Sequence, residues 1–216
     1  MNDSGVIFPS LRITHLLSDS AETESENKKS RLAIEFNLDY ASGSGSESIS
    51  SSQFINFGGS RFDGPAEIRG RGDLYVASLL VRKRLNNPAS FYGIDLLGGV
   101  SLQKFDLRLD SDGVVVEDGM TTGGPMVGVQ FSVMPYSWGE LYLRAMGALG
   151  FGGLDSKLGW GEVGITIRPY PPLGIMGGYR SLSYWQGSMY PSGTSPNVAE
   201  ITFGLNGPVV GLQLEF

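Results

Sequence analysis

The sequence predicts an all-β protein, its strands joined as an antiparallel up-and-down meander and closed into a barrel. Three observations carry this. Apolar and other residues alternate with a period of two over segment after segment, and no segment sustains a helical period. The 32 glycines are roughly twice the usual share, and glycine is a poor helix former that belongs with strands, bulges and turns. Connections alternate between tight turns ("NNPA" 86–89, "MPYSW" 134–138, "YPP" 170–172) and longer polar stretches (109–121, 151–157, 187–197).

Ten strands follow, at about 5–17, 30–41, 52–60, 67–85, 90–108, 122–134, 138–150, 158–169, 173–186 and 196–216. The cleanest is "RLAIEFNLDY", in which Leu32, Ile34, Phe36, Leu38 and Tyr40 face one way and Arg31, Ala33, Glu35, Asn37 and Asp39 the other. Val127, Val129, Phe131 and Val133 repeat the pattern, as do Leu141 to Leu149 and Val163, Ile165 and Ile167. The beginning is weakest: Pro9 interrupts the first strand, and "SGSGSES" at 42–48 reads as a turn or part of a long loop. If residues 1–28 lie outside the barrel and 42–66 form one loop, eight strands remain. Both counts are even, so both ends of the barrel are expected on one side. Residues 1–216 form a single domain on either count.

Composition bounds the function. A 41% hydrophobic, 18% charged chain is not compositionally disordered, and a net charge of −6 argues against a nucleic-acid surface. No cysteine is present, so disulfides and thiolate metal sites are excluded. No run approaches the roughly 20 apolar residues of a spanning helix. "MNDSGVIF" is not a signal peptide either. The expectation is a mature sequence carrying a start methionine, its signal peptide removed.

Alternation alone does not say which face meets water. The polar positions favour Arg, Asp and Glu with small Gly, Ser and Thr, which suits a narrow packed interior. Aromatics gather near strand ends: Tyr92, Tyr136, Trp138, Tyr170 and Phe216 at the short-turn side, and Phe105, Phe151, Trp160, Tyr184 and Trp185 at the long-loop side. Two such girdles are expected of a transmembrane barrel, whose clearer strands also have the roughly 9–11 residues a tilted crossing requires. The chain ends on "VVGLQLEF", with Val210, Leu212, Leu214 and Phe216 in strict alternation. This last strand resembles the C-terminal signature of bacterial outer-membrane β-barrel proteins. The resemblance implies short periplasmic turns, longer extracellular loops, a Gram-negative outer-membrane location and a terminal strand read by the barrel assembly machinery. Outer-membrane lipid and lipopolysaccharide are then the surrounding partners.

By parity, Arg12, Arg31, Glu35, Asp39, Glu67, Arg69, Arg71, Asp73, Asp95, Glu140, Arg144, Glu162, Arg168, Arg180, Glu200 and Glu215 are expected to point inward. Arginine pairs with carboxylates in two-point geometry, and an unpaired charge in a narrow lumen is costly. A barrel this small has little free cross-section. The expectation is a lumen plugged by ion pairs, in a non-enzymatic scaffold or binding protein that presents surface loops. A narrow, porin-like channel for small or apolar solutes is the alternative, and a lipid-modifying enzyme the third.

Other motifs carry less. Arg71-Gly72-Asp73 is an integrin-ligand tripeptide by chance composition. The acidic stretch 106–118 lacks the ligand spacing of a calcium hand and is expected to be a surface loop, with shared divalent cations at lipopolysaccharide phosphates as a weaker role. His15, the only histidine, has Ser18 and Asp19 nearby but no convincing catalytic arrangement. "RKR" at 82–84 reads as a solvated strand end beside a short turn. No cofactor, metal site or catalytic residue is expected.

Overall fold

The computed structural model describes residues 6–17, 32–51, 54–57, 60–86, 90–136, 138–151, 155–187 and 201–216. It is all-β, with β1 (Phe8–Leu17), β2 (Leu32–Ile49), β3 (Phe54–Phe57), β4 (Ser60–Asp63), β5 (Ala66–Arg84), β6 (Tyr92–Ser111), β7 (Val114–Tyr136), β8 (Gly139–Gly150), β9 (Asp155–Tyr170), β10 (Leu173–Gly187) and β11 (Ile201–Glu215). Nine of these close a barrel in the order β1-β11-β10-β9-β8-β7-β6-β5-β2, and β3 and β4 pair only with each other. Neither ten strands nor eight is the count. The expected strand at 52–60 is half of a small separate hairpin, while Phe8–Leu17 does enter the barrel as β1. The odd number has a geometric consequence. Hairpins reverse direction at every step, so the first and ninth strands run the same way and must close in parallel. Phe8 to Thr14 pair with Val209 to Glu215 in that sense. The two chain ends of the barrel therefore lie at opposite ends, not on one side.

Several strands run longer than the alternation suggested. The stretch expected as a loop at 109–121 is a continuous hairpin, turning at Asp112 and Gly113 with φ of 52° and 80°. Two successive positive φ values give a turn whose twist matches the flanking strands, and Asp-Gly is a favoured pair for it. The serine–glycine stretch 42–48 is likewise neither turn nor loop. It continues β2 and pairs with β5 out to Ile49 and Ala66.

The outer wall changes character along each strand. On β5, Tyr75, Leu79 and Val81 are exposed on it, and beyond Tyr75 the same face carries Asp73, Arg71, Arg69 and Glu67. On β6, Tyr92, Ile94, Leu96, Val100 and Leu102 give way to Lys104, Asp106 and Arg108. Aromatics mark both edges: Tyr136 stacks on Trp138 at 5.2 Å and Phe91 meets Tyr92 at the short-turn end. Tyr40 packs on Tyr75 at 4.9 Å, with Lys104 over the Tyr75 ring, at the other. Between these edges lies an apolar belt. From Tyr92 to Leu102, at about 3.3 Å per residue and about 40° of tilt, it is roughly 25 Å tall.

Candidate functional site: a two-layered lumen

The barrel interior is built from the opposite parity, and its register sets charge against charge. Pairing places Arg180 beside Glu162, Glu162 beside Arg144 and Arg144 beside Gln130. The row continues through Asp95 to Arg84. Six neighbouring strands thus present one oblique row of alternating charge, with glutamine as the only uncharged member. Because the strands tilt, the row descends from mid-barrel to the short-turn end.

Contacts across the lumen tie this row to β1 and β2. Arg144 on β8 donates to Glu35 on β2, and both side chains are almost wholly buried. Arg12 stands 3.8 Å from both Glu35 and Glu162 and donates to Asn37 at 3.3 Å. Arg180 donates to Glu162 at 2.8 Å through Nε and to Asp39 at 2.9 Å through Nη1. The Tyr142 hydroxyl completes Glu162 at 2.5 Å. At the short-turn end Arg84 grips Asp95 through two bonds, of 2.5 and 2.8 Å, and Arg168 bridges Glu140 and Glu215. Two-point arginine–carboxylate geometry is strong, and burial without it would be costly. Glycines make the room. A Cβ at Gly93 would lie 2.5 Å from the Arg84 guanidinium carbon, and one at Gly164 would lie 2.7 Å from the Tyr142 hydroxyl.

The charged layer fills only part of the lumen. Arg180 is its boundary, lying over the rings of Phe8 and Trp160 at 5.6 and 5.5 Å. From there to the loop end the interior is apolar: Phe8, Leu74, Val76, Trp160, Leu182 and Tyr184 are buried in one packed cluster. Phe105 packs at a tilt against Tyr184 with centroids 5.3 Å apart. A small polar island of Gln103, Thr122 and Ser156 is satisfied internally at 2.9 and 3.1 Å. Among the lumen cavities, one of about 50 Å³ opens among Arg82, Arg84, Asp95, Glu140 and Arg168, and one of about 10 Å³ lies beneath Phe8 and Trp160.

The structure therefore places Arg12, Glu35, Asp39, Asp95, Glu140, Arg144, Glu162, Arg168, Arg180 and Glu215 inside the barrel, each in an ion pair, as three neighbouring groups that make up one charged network. Glu67, Arg69, Arg71 and Asp73 are a correction. They stand on the outer face of β5, where Arg69 and Arg71 are largely exposed. Beyond the apolar belt the outer face of β5 carries the charge, while the parity of the strand stays unchanged. Arg31 and Glu200 lie outside the described residues. Arg82 and Arg84 are a second correction: they are inward members of the network, not a solvated end. Their even numbering, shared with inward Ser78 and Leu80, was the signal. Phe105, Trp160 and Tyr184 line the apolar interior rather than an outer girdle.

His15 is exposed on the outer wall, and Ser18 and Asp19 lie outside the described residues. The acidic stretch 106–118 and Arg71-Gly72-Asp73 form the rim of a cleft of about 420 Å³ on the extended wall. Its charges are largely paired, Lys104 with Asp106 at 2.7 Å and Arg108 with Glu117 at 3.0 Å. Among the described residues no group of histidine, aspartate or glutamate side chains is placed to hold a metal ion. Val210, Leu212, Leu214 and Phe216 project from the outer wall at the seam with β1.

Comparison of the chain with family models, curated proteins and solved structures finds no match.

Proposed function

We propose that this chain is a bacterial outer-membrane β-barrel with a sealed lumen, acting as a scaffold that presents its loop-end hairpins to the exterior. The observation that carries the reading is the inversion of the ordinary order. Large apolar side chains stand exposed around the wall, while Glu35, Arg144, Glu162 and Arg180 are buried within it. Charged residues are almost never fully buried in soluble proteins unless paired, and an apolar wall facing water is unfavourable. A belt of roughly 25 Å bounded by aromatic edges matches a lipid bilayer. In that setting the short turns lie in the periplasm, lipopolysaccharide surrounds the loop end, and the terminal strand ending at Phe216 is the feature the assembly machinery reads. No catalytic role is assigned.

The narrow-channel reading draws on a different observation, the apolar upper lumen, which would suit small apolar solutes entering from the loop end. The two are separated in planar bilayers. The scaffold reading expects no steady conductance and no solute uptake in liposome swelling; steady conductance or uptake replaces it with the channel. The barrel itself is read on a gel, where unheated and boiled samples in dodecyl sulfate migrate differently if the closed wall resists detergent.

A further inference from the structure

Around the Glu35–Arg144 pair the charged layer holds six polar atoms without a hydrogen-bond partner among the described residues. They are the Arg144 Nε and Nη1, the Thr14 and Ser132 hydroxyls, the Glu35 Oε2 and the Gln130 Oε1. All five side chains belong to residues at least 95% buried. The register makes them neighbours: Thr14 is paired with Glu35, and Gln130 with Arg144, while Ser132 is one inward step along β7. Four of the atoms sit on groups that can donate and two can only accept. Native folds leave very few such groups unsatisfied.

The charge balance says what would satisfy them. Among the described residues the layer contains six arginines (Arg12, Arg82, Arg84, Arg144, Arg168 and Arg180) and six carboxylates (Glu35, Asp39, Asp95, Glu140, Glu162 and Glu215). A bound anion or cation would break that neutrality in a confined space, where an uncompensated charge is expensive. A neutral group that donates and accepts fits, and it must be small. Buried water makes about three hydrogen bonds per molecule, so two waters match six atoms. On the short-turn side a cavity reaches residues that neighbour these atoms. The cavity of about 50 Å³ at the short-turn end is lined by Arg82 and Glu140. Arg82 stands 3.8 Å from the Glu35 Oε2, and Glu140 accepts from Gln130. Above, Phe8, Leu74 and Leu182 offer water nothing to bond, and Trp160 offers a single indole N–H that has no partner among the described residues.

We infer that the middle of the barrel is a built water site, holding a pair of structural waters between Arg144, Glu35, Gln130, Ser132 and Thr14, and that it fills from the short-turn end only. The waters do not depend on the membrane reading; the sidedness rests on it.

The waters are tested on wild-type protein in detergent, labelled with ¹⁵N at arginine. The Arg144 Nε proton, assigned by its loss in Arg144→Lys, is expected to show a cross peak to long-resident water. The Arg180 Nε proton, bonded to Glu162 at 2.8 Å, should show none. An Arg144 signal as dry as that of Arg180 overturns the site. Sidedness uses the chain's lack of cysteine. With Ser132→Cys in oriented liposomes, silver ion presented at the short-turn end should block later maleimide labelling of the denatured protein. Silver at the loop end should not, with Asp112→Cys reporting orientation. Protection from the loop end, or from neither, overturns the one-ended route. Failure to insert into liposomes at all refutes the membrane reading instead and leaves the detergent measurement to decide the waters.

Discussion

Arg144→Ala distinguishes the two layers of the lumen. Arg144 is 3% exposed and its closest partner, Glu35, is fully buried. Removing one member of a buried pair typically costs about 3–5 kcal/mol, because the other charge is left without compensation. Here the loss belongs near the lower bound. Glu35 keeps Arg12 and Arg82, each at 3.8 Å. About 3 kcal/mol is the expected destabilisation, read as a lower urea midpoint in detergent and a lower temperature for the gel-mobility transition. Glu35→Gln with Arg144→Met removes both charges at similar volume and should recover most of it, since a vacated pair refilled by neutral side chains is often close to neutral. Conductance should stay at the wild-type level, because Phe8, Leu74, Trp160 and Leu182 still close the barrel above the lesion. Steady current through Arg144→Ala would refute this reasoning by showing that the ion pairs, not the apolar layer, are the seal.

The complementary change is Leu74→Ser with Leu182→Ser, each emptying a buried apolar position. Each should cost at least the roughly 2–5 kcal/mol of a large-to-small core substitution, and the pair should give intermittent current in planar bilayers. A silent double variant would place the seal elsewhere. Phe36 stands on the outer wall within the belt, so Phe36→Arg should cost roughly 2–4 kcal/mol if that wall meets lipid. A spin label at 36 should be relaxed by lipid-soluble oxygen, and the opposite result, accessibility to water-soluble reagents only, would contradict the membrane reading. Gly113 holds φ of 80° at the hairpin tip. Gly113→Val should cost about 1–3 kcal/mol locally, appearing as faster proteolysis between 106 and 120 while the barrel's gel mobility is unchanged. Equal loss of both would mean the hairpin and barrel unfold together.

Much of the lumen was legible because parity is local. Once β2 is read from Leu32 to Tyr40, Glu35 and Asp39 must share a face opposite Phe36, whatever the rest of the chain does. The same logic places Arg144 and Glu162 within their own strands. It fails at Glu67 to Asp73 for a reason that is not local: the meaning of "polar side" reverses where the wall leaves the apolar belt. The parity of β5 was available from Arg82 and Arg84, but the height of the belt was not.

The sequence by itself determined the all-β fold, the hairpin meander, the inward charges of the middle strands and the outward row ending at Phe216, because a period of two is imposed by backbone geometry within each strand. Only the tertiary structure decided the rest. Alternation is the same for parallel and antiparallel neighbours, so the ninefold closure of β1 on β11 left no mark in either strand. Which charge meets which is likewise decided by register across strands: Arg144 reaches a glutamate 109 residues away, on a strand that is not its neighbour. The division of the lumen into a charged and an apolar layer is of the same kind. Phe105, Trp160 and Tyr184 lie far apart in the chain, and closing the wall is what stacks them above Arg180, in a cross-section too narrow for anything but their own side chains.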